Sequence, residues 1–278
     1  MTLAAAMLLL AALAETDASA QLEEADRHFA QRGLGAQGPK CDPAEIEEAL
    51  RLYRKARQLD PASIPGRIGM LRSLFFRGGF CGERGEAQKR TFEEAKRLAE
   101  DSEAQLERDA GAKLRRDKPA PFRSVRDAPA LFFWCGVAWG QWALDHKVPA
   151  AWQGAAGKIR DLGETALLLD GAYEQGSPHL LLGRLHADSP KIPLITGFVS
   201  RRKALEHLRR AHEIAPANSI AAWFLAKAIL EHEPQSRPQA LALLRTCAAG
   251  EPRADYLVED RHYAALARAR LRQLGETR

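Results

Sequence analysis

Along this chain apolar residues recur at helical spacing, and the pattern itself repeats. Ala49, Tyr53 and Ala56 are followed by Pro61; the same spacing returns as Ala204, Leu208, Ala211 and Pro216, and again as Ala240, Leu244, Cys247 and Pro252. A degraded copy, Ile159, Gly163, Ala166 and Gly171, keeps the Leu-Asp pair that also precedes Pro61. Two small residues on one helix face allow a second helix to pack closely, the bulky residue between them fills the gap, and Pro or Gly ends the helix. A partner helix is therefore predicted before each copy. His179–His186 carries a Leu182-Gly183 crossing point, while Ala222, Leu225, Ala226 and Ile229 form a stripe of period 3.6. Trp134, Val137, Ala138 and Gln141 form another, and Gly66, Gly69 and Met70 a weaker one.

The pattern reads as five helical hairpins over residues 21–61, 62–102, 128–171, 176–216 and 218–252, with a capping helix in 253–278. Residues 103–127 read as a polar joint. Insertions at 147–156 and 189–200 interrupt two hairpins, so those loops are candidate functional features. Composition agrees with an all-α fold: the chain is 46% hydrophobic and 28% charged, and Ala, Leu, Arg and Glu dominate over β-branched residues.

Residues 1–20 stand apart. Leu3–Ala14 is an unbroken apolar run, followed by Glu15-Thr16-Asp17 and the small-residue ending Ala18-Ser19-Ala20, which predicts a cleaved export signal and a mature start near Gln21. The run is too short for a permanent membrane span, and no Cys follows it to carry a lipid. The net charge of +5 is spread as interspersed acid–base pairs on helix faces, which argues against nucleic-acid binding. The four cysteines show no metal-ligand spacing. Cys41 and Cys81 fall in the turns of the first two hairpins, where stacking would place them side by side, so a disulfide is expected between them. Cys135 and Cys247 lie within helices as small packing residues.

The repeated spacing is that of tetratricopeptide helices. Three segments narrow the likeness: Ala130–Trp142 (ALFFWCGVAWGQW), Ser177–Pro193 (SPHLLLGRLHADSPKIP) and Arg201–Pro216 (RRKALEHLRRAHEIAP). Together they resemble the T-component family of tripartite ATP-independent periplasmic (TRAP) transporter systems, exported helical-repeat proteins. The resemblance covers residues 40–252. It implies a periplasmic setting, a substrate-binding protein as partner and a small hydrophobic or organic-acid ligand; the missing lipid-attachment Cys departs from the family pattern.

No GxSxG, HExxH, P-loop or GxGxxG context is present, so catalytic residues, metal and cofactor are not expected. In a stacked repeat array the first helices line the concave face, and the groove stripe lies about 100° from the packing stripe. That rule selects Arg67, Leu71, Leu74, Phe132, Cys135, Trp139, Trp142, Leu180, Arg184, Ala187, Trp223, Lys227 and Leu230. Within this stripe Arg67, Phe132, Trp139, Trp142, Arg184, Trp223 and Lys227 are the ligand-contacting set, an apolar trough with cations for the carboxylate of an amphipathic acid. Packing of the same tryptophans in the core is the structural alternative. The sequence thus reads as a non-catalytic scaffold or ligand holder, with a general protein–protein interaction solenoid of an envelope complex as the alternative. Either is compatible with a homo-oligomer.

Overall fold

The computed structural model describes residues 3–193 and 195–276, with side chains from residue 16 onward. Twelve α-helices are present among them, and no strand. The expected leader begins outside the described residues at Met1 and Thr2; from Leu3 to Ala20 its backbone belongs to α1 (Leu3–Ala30). No described helix is long and apolar enough to cross a membrane.

After α1 come α2 (Ala44–Leu59), α3 (Ile64–Phe80), α4 (Glu86–Ala110) and α5 (Ala128–Asp145). The short α6 (Lys147–Trp152) precedes α7 (Ala155–Leu169), α8 (Tyr173–Asp188) and α9 (Arg201–Ile214). The chain closes with α10 (Ser219–His232), α11 (Arg237–Ala249) and α12 (Leu257–Gln273). Each first helix packs on its following partner, and at the α8–α9 crossing a Cβ on Gly183 would stand 2.6 Å from Leu208 Cγ and 3.2 Å from its backbone nitrogen. Only glycine permits that approach. The repeated Leu-Asp pair has a local cause: the Asp60 and Asp170 carboxylates each accept a 3.0 Å bond from the backbone N–H two residues on, turning the chain after α2 and α7.

Two expected boundaries move. Residues 103–110, assigned to a polar joint, continue α4 because Glu103, Gln105 and Leu106 are buried on its inner face; Gly111 then ends it in a left-handed cap. The 147–156 insertion is not all loop, since it carries α6.

The helices close into a ring. α3 packs on α5, α5 on α8, α8 on α10, α10 on α12, and α12 returns to α3. A buried ion pair clamps the closure: Arg32, just beyond α1, donates to Glu259 of α12 through Nε (3.1 Å) and Nη2 (2.9 Å). Cys41 and Cys81 are disulfide-bonded with Cα atoms 4.7 Å apart. The bridge spans a sequence separation of 40, so opening it releases a long unfolded-state loop. Replacing both cysteines with serine is expected to lower stability by about 2 to 4 kcal/mol. Urea melts of the variant and of oxidised wild type provide the check; an unchanged midpoint would contradict the constraint.

Candidate binding cavity

A cavity of about 110 Å³ lies between α1, α3, α5, α8, α10 and α12. Its apolar wall includes Phe29 of α1, Phe75 and Phe76 of α3, Phe133, Trp134 and Val137 of α5, and Leu180 and Leu181 of α8. Four arginines, Arg32, Arg72, Arg184 and Arg253, and two acids, Glu174 and Glu259, also line it.

These arginines are not equally satisfied. Arg32 is tied to Glu259, and Arg253 grips Asp260 with two 2.8 Å bonds while donating at 2.6 Å to Gln175. Arg72 comes no nearer than 3.8 Å to Glu174. Arg184 stands 3.8 Å from Asp188, whose other oxygen is held by Lys227 at 2.7 Å. The Nε–H groups of Arg72 and Arg184 are buried and have no hydrogen-bond partner among the described residues. Both guanidinium groups instead lie over rings, Arg72 4.3 Å from the Phe29 centroid and Arg184 4.2 Å from Phe224. Under-bonded guanidinium groups on a partly apolar wall are available to an anion.

The backbone delivering Glu174 is unusual. Glu174, Gln175 and Gly176 adopt φ of 41°, 64° and 78° in succession, one left-handed turn at the start of α8. Two of the three are not glycine, and each such residue costs on the order of 1 kcal/mol. Arg253 holds the turn through Gln175, and Ile214 packs where a Cβ on Gly176 would sit. Burial raises the Glu174 carboxyl above its ordinary pKa against the opposing pull of Arg72. Burial raises Glu259 likewise, against Arg32.

Of the thirteen residues expected on the groove stripe, only Leu180 and Arg184 line this cavity. Arg67 is a correction: it is buried and bonded to Asp101 (2.7 Å), Ser102 and the Pro61 carbonyl, so it joins α3 to α4. Phe132, Trp139 and Trp142 are also corrections, because α4 and the turn before α5 cover that flank. Phe132 meets Phe122 at 5.0 Å, while the Trp139 and Trp142 indoles donate to Glu103 and Glu93. Trp223 is half-buried outside the cavity lining and Lys227 is spent on Asp188. On α5 the two stripes are exchanged: Trp134 and Val137, read as packing residues, line the cavity. Missed altogether were Arg32, Arg72, Arg253, Glu174 and Glu259. For Arg72 a signal existed in its i, i+3, i+4 spacing with Phe75 and Phe76; the others come from helix ends where periodicity is silent.

A wider cleft of about 480 Å³ opens between α1 and the start of α3. Its one buried polar side chain, Ser63, is used in capping α3. Elsewhere, His179 and His186 of α8 meet His207 of α9, with 3.0 Å between the Nδ1 atoms of His179 and His207 and the His186 ring stacked at 6.1 Å. No group of three or more potential ligands among the described residues is placed to hold a metal. Burial, reinforced by the neighbouring His207, brings His179 and His186 down to about 4, and burial lowers His207. Folded-state values below the unfolded value make the unfolded chain the better proton binder between them. Stability from these histidines is therefore complete above about pH 6.5 and is lost as pH falls toward 4. His186 alone sets a slope of at most about 1.4 kcal/mol per pH unit. Thermal melts from pH 7 to 4.5 should show the decline, and His186→Leu should flatten it; an equal slope in the variant would refute the assignment.

Compared with known proteins, the chain matches no family model and no curated protein sequence.

Proposed function

We propose that this protein is a non-catalytic ligand holder of the cell envelope, built from tetratricopeptide-type hairpins and similar in role to a TRAP-transporter T-component. The observation that carries the reading is the pair of under-bonded arginines, Arg72 and Arg184, on the wall of a cavity otherwise dominated by aromatic and aliphatic side chains. Such a site suits a small amphipathic acid: rings cover its body and guanidinium groups meet its charge. A periplasmic substrate-binding protein is the partner with which it would exchange that ligand.

Thermal shift and calorimetry with a panel of small acids test this. Arg184→Met keeps the apolar stem over Phe224 and removes the charge, so affinity should fall roughly 30- to 4,000-fold while the melting temperature of the free protein changes little. If no acid raises the wild-type melting temperature, the reading fails. Trp152, 88% exposed on α6 beside Val148 at 68%, favours a second reading as a protein–protein interaction solenoid. In that case Trp152→Ser abolishes co-purification of the partner and leaves acid binding unchanged.

A further inference from the structure

The acids of the cavity are as informative as its arginines. Glu259 is only 7% exposed, and both bonds from Arg32 fall on its Oε1. Its Oε2 is buried without a donor among the described residues. Glu174 is brought to the wall by the left-handed turn, with its nearest cation, Arg72, 3.8 Å away. The residues around the same small space thus include two guanidinium groups with an Nε–H that makes no hydrogen bond, those of Arg72 and Arg184, the latter 3.8 Å from Asp188 Oδ2. They also include two carboxylates with acceptor capacity left over, Glu259 and Glu174. A plain carboxylate would satisfy the first set and leave the second short, while bringing a like charge toward Glu174. An amine would do the reverse.

We propose that the ligand is amphoteric, a small apolar α-amino acid whose carboxylate meets Arg184 and Arg72, whose ammonium meets Glu174 and Glu259, and whose side chain lies among Phe29, Phe75 and Trp134. This rests on the ligand-holding reading above and names the substrate class of that site. Size sets only an upper bound: the cavity of about 110 Å³ is smaller than one of about 150 Å³ that holds benzene, which excludes a long acyl chain.

Three probes isolate the head group: L-leucine, isocaproate, which lacks only the amino group, and isoamylamine, which lacks only the carboxylate. Calorimetry on the full chain should show L-leucine binding at least about tenfold tighter than either analogue, because each leaves one set of buried polar groups unpaired. Glu174→Gln keeps the side-chain shape, and the preference for L-leucine over isocaproate should shrink to within about twofold. If isocaproate binds wild type as tightly as L-leucine, the ammonium gains nothing from Glu174 and Glu259; the amphoteric assignment is then overturned while the anion-holding function stands. If L-leucine and isocaproate both fail to bind, this assignment falls, and the acid panel independently reports on the broader reading. Because the three-probe comparison is made on wild type, it does not depend on any variant folding.

Discussion

Arg32→Ala is expected to destabilise the protein by about 3 to 5 kcal/mol, the cost of breaking a buried ion pair from one side. Arg32 is 8% exposed and serves four acceptor contacts at once: two to Glu259 Oε1, one to the Phe29 carbonyl at 3.3 Å and one to the Asp255 carbonyl. Its guanidinium also lies 4.6 Å from the Phe29 ring centroid. Truncation leaves Glu259 charged and unpaired in a setting that already raises its carboxyl pKa by burial. The pair also joins the first hairpin to the closing helix, so its loss should expose the cavity and promote early opening of α12. Urea unfolding measures the total, and amide exchange along α12 locates it. Because removing both charges avoids a stranded ion, Arg32→Met with Glu259→Leu should recover much of the loss. A single-variant cost below about 1 kcal/mol would mean that apolar packing, not this pair, holds the ring closed.

Trp139→Ala should cost a comparable amount, about 3 to 5 kcal/mol. The ring is 4% exposed, its indole N–H donates to Glu103 at 3.1 Å, and the Lys96 ammonium sits 4.7 Å from its centroid. Truncation therefore removes a large apolar contact, a hydrogen bond to a buried acid and a cation–π contact together. Ligand affinity should be unchanged, since this face of α5 meets α4. Trp134→Ala is the matched control: it removes a cavity wall and should weaken binding as well as stability. Thermal melts with calorimetry on both variants separate the outcomes. A Trp139 variant of near-normal stability and impaired binding would return that ring to a ligand groove.

That contrast shows why the fold was more legible than the site. Ala49, Tyr53 and Ala56 announce a tightly packed second helix because small residues at helical spacing have few other uses, and Leu182-Gly183 marks a crossing for the same steric reason. A first helix in a closed ring, however, has its own partner on one side, the preceding hairpin on another and the interior on a third. On α5 both flanks are apolar, with Phe132, Trp139 and Trp142 on one and Phe133, Trp134 and Val137 on the other. A period of 3.6 gives the angle between two stripes and not the direction of turn from one to the next. Which flank faces a cavity depends on where α4 lies.

By itself, then, the order of residues determined the helical class, the packing of helices on their chain neighbours and the residues at close crossings such as Gly183, all consequences of local periodicity and short-range sterics. Tertiary structure alone decided the closure of the ring, the contact of Arg32 with Glu259 across a sequence separation of 227, and the meeting of Arg72, Glu174 and Arg184 around one cavity. Those contacts depend on the summed rotations of successive hairpins. No single helix encodes that sum, so a small change in each crossing angle would bring different side chains together.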